Sequence, residues 1–153
     1  MTLSLSVFTG TNAATETPSQ TAITLLSADT ASTSPASAEV AKGTNSYERW
    51  MAVSIDTADA QTYSNFWVEM TGDLPAGVTI RVGVADAGST PTSATSQVAK
   101  TTLAAGRRFI WDVNSYSSDG DRTRFLVIQE SVAASVASGA IPQQVLSFGY
   151  AVG

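Results

Sequence analysis

Val78 to Ala85 reads VTIRVGVA, with Val78, Ile80, Val82 and Val84 on one side of a two-residue period and Thr79, Arg81 and Gly83 on the other. A side chain switches face at every step only in an extended strand, so this alternation predicts a half-buried β-strand. The pattern recurs. Leu3, Leu5 and Val7 alternate with serines from the first residues, so a strand is expected over 3–9. Thr21 to Ser27 (TAITLLS) predicts a second. Glu48 to Asp56 sets Met51, Val53 and Ile55 against Trp50, Ala52 and Ser54. Asn65 to Thr71 sets Phe66, Val68 and Met70 against Trp67 and Glu69, and Arg107 to Val113 repeats the pattern with Phe109, Trp111 and Val113. Thr123 to Glu130 (TRFLVIQE) is apolar on both faces in its middle, as a central strand must be, and Val145 to Val152 (VLSFGYAV) follows. Ser96 to Leu103 offers a ninth.

Segments of this kind, separated by Gly72-Asp73-Leu74-Pro75-Ala76-Gly77, Ala87 to Pro91 and Ser118-Asp119-Gly120-Asp121, predict an all-β chain. The expected fold is a single antiparallel β-sandwich or jelly roll of about eight strands. Helix is expected at most as one or two turns in Ser131 to Ala140. With 153 residues, no repeat of 20–50 residues and no break in composition, one domain over 1–153 is expected. Two stretches exceed ordinary connections: 10–20 and 28–45 are rich in Ser, Thr and Ala and read as long loops or arms.

Composition then narrows the chemistry. The chain has no Cys and no His, which excludes disulfides, thiolate nucleophiles, Ser-His-Asp triads and imidazole metal sites. Only 14% of residues are charged, the net charge is −5, and 40 residues are Ser or Thr. An acidic chain lacks the cationic contacts that nucleic-acid affinity needs, so nucleic acid is not an expected partner. No stretch approaches 18 consecutive apolar residues and the first residues lack a basic, then apolar, leader, so neither a membrane span nor a signal peptide is expected.

Three constellations carry candidate chemistry. Asp119 and Asp121 around Gly120 suggest a calcium loop, but Arg122 and Arg124 stand where further ligands belong, so a turn is the better reading and no metal or cofactor is expected. Glu69 and Glu130 are the carboxylate pair available for glycoside chemistry, yet both read as outward and solvated, so no catalytic residue and no enzyme is expected. Trp50, Tyr63 and Trp67 are the aromatics that could stack on a sugar, Trp67 above all because it is out of phase with its apolar neighbours; burial under a loop or against another subunit is the alternative. Arg107, Arg108, Arg122 and Arg124 hold four of the eight cations and suit planar, bidentate contacts. Trp67 and these four arginines are the candidate interface.

Val78 to Val113 and the final RFLVIQESVAASVASGAIPQQVLSFGYAV resemble small β-sandwich structural proteins of tailed-bacteriophage virions. The resemblance covers the C-terminal half: a VxIxVG strand run, a Thr/Pro/Ser/Ala turn segment and a last strand after a small-residue crossover. It implies a non-enzymatic capsid cement or decoration protein on the outer capsid surface, a homotrimer that binds and stabilises the major capsid protein lattice. A phage tail or fibre component, or a carbohydrate-binding sandwich module, are the alternatives.

Overall fold

In the computed structural model, residues 2–21, 25, 40–57, 59–93, 97–137 and 145–153 are described. They form β1 (Thr2–Thr9), β2 (Thr15–Thr17), β3 (Arg49–Thr57), β4 (Tyr63–Thr71), β5 (Val78–Ala85), β6 (Lys100–Thr102), β7 (Arg108–Asp112), β8 (Phe125–Val132) and β9 (Val145–Val152). Six strands make one sheet in the order β2-β1-β3-β8-β5-β6, and three make the other in the order β7-β4-β9. All paired strands are antiparallel. The fold is the expected all-β sandwich, with unequal layers.

The alternation places the core as read. Met51, Val53 and Ile55 from β3, Phe66, Val68 and Met70 from β4, and Ile80 and Val82 from β5 pack with Leu126, Ile128 and Trp111 between the sheets. β8 sits between β3 and β5 and is buried along Phe125–Glu130, which explains a sequence apolar on both faces. Its second face meets a second core: Phe125 and Val127 join Phe8, Ala13, Trp50, Ala52 and Val98 on the far side of the six-stranded sheet. Phe125 meets Phe8 and Trp50 edge to face, with ring centroids 5.1 and 5.5 Å apart.

Loops roof that second core. The 3-10 turn Thr11–Ala13 lies against Gly88, where an added Cβ would come within 2.3 Å of the Asn12 carbonyl oxygen, so only glycine allows the approach. The Asn12 N–H donates to Thr90 Oγ1, and the Glu48 N–H to the Thr92 carbonyl. Under this roof the side chains of Lys100 and Glu48 form an ion pair with no solvent exposure, and the Trp50 indole N–H donates to the same carboxylate.

Several expectations change. Residues 10–20 are an ordered hairpin rather than a loop: β2 pairs with β1 from Thr15 to Thr17, and the buried Ser6 hydroxyl donates to Glu16. Side-chain period could not show this, because the hairpin is held by backbone bonding to β1. Helix is not found in the described part of 131–140; β8 continues to Val132 and a turn follows. The possible ninth strand is β6, confined to Lys100–Thr102. Of the predicted strand at Thr21–Ser27 only Thr21 and Leu25 are described, Leu25 half-buried against the core between the sheets, and most of 28–45 lies outside the described residues; Asn45, at its end, bridges Ser131.

Candidate functional site

Among the described residues, no loop covers the outward face of the β7-β4-β9 sheet. β4 presents Trp67 and Glu69 there, opposite in phase to the buried Phe66, Val68 and Met70. Cross-strand register brings Ile110 and Gly149 beside Trp67, and Arg108 and Ser147 beside Glu69. The half-buried indole of Trp67 rests over Gly149; a Cβ at that position would stand 2.2 Å from the ring. The Arg108 guanidinium packs against the same ring, 4.0 Å from its centroid, while its Nε donates to Glu69 Oε2 at 3.2 Å. Ile110 and Val145 flank this group, 51% and 59% exposed. A Trp-Arg-Glu cluster of balanced charge, bordered by exposed aliphatics on a chain of charge −5, has the composition of a protein-contact centre.

The structure brings only part of the predicted set together. Trp67 and Arg108 meet, with the exposed Arg107 just before β7. Arg122 belongs to the other layer, its guanidinium 5.1 Å from the rings of both Phe8 and Phe125 at the margin of the second core. Arg124 pairs with Asp86 at 2.5 Å. Trp50 and Tyr63 are buried, at 1% exposure each, and Arg108 already occupies the Trp67 ring, so a sugar stacking there must displace it. Sequence reading missed Ile110, Val145 and Gly149. The signal was Ile110, apolar but out of phase with Phe109 and Trp111; in β9 the outward phase, Val145, Ser147, Gly149 and Ala151, is mostly small and uncharged and carries no mark of its own.

The carboxylates separate as well. Glu69 faces outward, paired with Arg108. Glu130 was expected outward, but its register partner Ile80 is a core residue, so it points between the sheets and is buried. Burial raises the pKa of its carboxyl above the ordinary value. The two groups do not face a common cleft. Asp121 serves its own turn by accepting the N–H groups of Ser117 and Ser118, at 3.0 and 2.9 Å, with Gly120 at φ +83°. Among the described residues no three Asp or Glu side chains gather as a metal site.

Two part-buried tyrosine–aspartate pairs secure the loop that closes this sheet. The Tyr116 hydroxyl donates to Asp112 Oδ2 at 2.7 Å, and that oxygen also accepts the Arg124 N–H. Tyr63 donates to Asp59, and its backbone bonds Tyr116 in both directions. Burial, then the bond to aspartate, pushes both phenols up to about 12, so they stay protonated donors at neutral pH. In comparisons with known proteins, no family model matches the chain, and no curated protein and no solved structure matches it.

Proposed function

We propose that this chain is a structural protein of a virion, of the capsid cement or decoration type, which binds a coat lattice and stabilises it by contact rather than by chemistry. The observation that carries the reading is the asymmetry of the sandwich. One sheet has its outer face roofed by the chain's own loops and filled by a second core, while the other presents the Trp67, Arg108, Glu69, Ile110 and Val145 face to solvent. A rigid sandwich that keeps one flat face open suits attachment to a repeating surface, where modest contacts are multiplied by copy number. The phage resemblance of residues 78–113 and of the last strands supplies the kind of surface. Copurification with intact particles, quantified against the coat protein, tests it: hundreds of copies per particle are expected. Absence from particles overturns the reading, and a handful of copies replaces it with a tail or vertex part.

A further inference from the structure

Hollows lie at both flanks of the sandwich. The larger, about 390 Å³, opens beside half-buried Val84, with Ala99, Thr101 and Phe109 along it. Its one ionisable lining residue, Lys100, already holds Glu48, and none of its side chains carries a buried polar atom without a partner. The smaller differs in kind. It is a cleft of about 140 Å³ between Leu3, Leu5 and Val53 of the broad sheet and Phe66, Trp111 and Phe148 of the narrow one. Leu3 and Leu5 are half-buried and, like Leu25, pack against the core between the sheets.

What sets the cleft apart is a hydrogen-bond donor. A buried tryptophan ordinarily keeps its indole N–H bonded, because an unpaired donor away from water is costly. Trp50 obeys, donating to Glu48. Trp111 does not: it is 2% exposed, and its Nε1 has no acceptor among the described residues. The Trp111 ring stands in the wall of the cleft, its centroid 6.0 Å from that of Phe66 and 6.1 Å from that of Phe148. With so little of Trp111 open to solvent, the cleft that it lines is the route by which an acceptor reaches the ring. The remaining polar side chains of the wall are engaged or exposed: the Ser4 hydroxyl donates to Asp56, and Tyr150 is 40% exposed. No charged side chain lines the cleft.

We propose that this cleft is a binding site for a small, neutral, ring-sized molecule with one carbonyl-type acceptor, which receives the Trp111 N–H while its hydrocarbon part rests among Leu3, Leu5, Phe66 and Phe148. Each property of the ligand follows from the wall. Size follows from the volume, since an apolar cavity of about 150 Å³ takes a benzene ring. Neutrality follows from the uncharged lining, because a charge buried without a partner costs far more than a carbonyl that finds a donor. The acceptor follows from Trp111 Nε1. Water serves that donor poorly, because it needs two to four polar partners to settle in a cavity, and aliphatic and aromatic side chains make up most of this wall. The site stands apart from the virion reading, since it rests on the interior of the sandwich and not on its outward face.

The test uses the full chain, isotope-labelled for NMR, with cyclohexanone as the probe and methylenecyclohexane, the same shape without the acceptor, as the control. The Trp111 indole proton reads the bond: cyclohexanone is expected to move it downfield, and the control is not. Trp111→Phe is expected to weaken cyclohexanone about tenfold and the control less than about twofold, the share of affinity that one hydrogen bond supplies. Leu3→Phe, at the half-buried margin of the cleft, keeps the indole and narrows the space, and is expected to weaken both molecules at least about tenfold. No downfield shift with cyclohexanone overturns the site. So does an indole proton already in the hydrogen-bonded range without any probe, which means that the chain supplies the acceptor itself. Equal loss of both molecules in Trp111→Phe assigns the cleft to packing alone and overturns the proposal; binding unchanged in Leu3→Phe places the probe elsewhere and overturns it too.

Discussion

Gly149 is a small residue with a large neighbour, since the indole of Trp67 occupies the space where its Cβ would be. Gly149→Ala is expected to lift the ring, separate it from Arg108 and cost about 1–3 kcal/mol, the usual penalty for overpacking. Chemical denaturation measures the loss, and Trp67 fluorescence reports the displaced ring. Glu130 gives a pH signature. Its folded pKa is raised, so the folded state holds the proton more tightly than the unfolded state, and stability falls as pH rises from the ordinary glutamate range through the raised folded value. Glu130→Gln removes that dependence. The variant is expected to be more stable than the parent at pH 7, with the gain disappearing below about pH 4, where the unfolded carboxyl is also protonated. Thermal melts at the two pH values decide it.

Among the elements, the loops over the second core matter most, because they turn Trp50 from a candidate platform into an interior residue. Their buried Lys100–Glu48 pair is expected to behave as a latch: Lys100→Met leaves the Glu48 carboxylate buried with the Trp50 N–H as its remaining partner and costs about 3–5 kcal/mol. Glu48→Leu combined with Lys100→Met is expected to recover most of that loss, as a double-mutant cycle in urea would measure. The elements also separate what was legible from what was not. The periods of β4 and β5 transferred directly, since each has one buried and one less buried face and strand geometry permits no other arrangement. The roof was not legible. Thr11–Ala13 and residues 88–93 are polar or small, and with Val98 they close over Trp50 by folding back over a distance in sequence that no local period encodes. Glu130 was misplaced for a related reason: a strand apolar on both sides does not reveal its phase, which its pairing with Ile80 supplies. Trp67 was legible as an outward aromatic, but its contact with Arg108 depends on the β4–β7 register.

For the whole molecule, the unequal layers divide labour: the broad sheet supplies stability through two cores, and the narrow one supplies surface. Ile110→Asp with Val145→Asp is therefore expected to leave folding stability within about 0.5 kcal/mol per site, because both side chains are more than half exposed, while lowering particle affinity at least about tenfold. Melting curves and particle sedimentation separate the two effects. The broad sheet also imposes an order of events on the ribosome. β8 is its keystone, between β3 and β5, yet it follows both in the chain. Until β8 emerges, β3 and β5 have no strand between them to bond, and the core they share with β4 lacks Leu126 and Ile128. Nascent chain that stops short of Phe125 should hold no stable half-fold, and its open strands would be exposed to chaperones and proteases until synthesis passes that point.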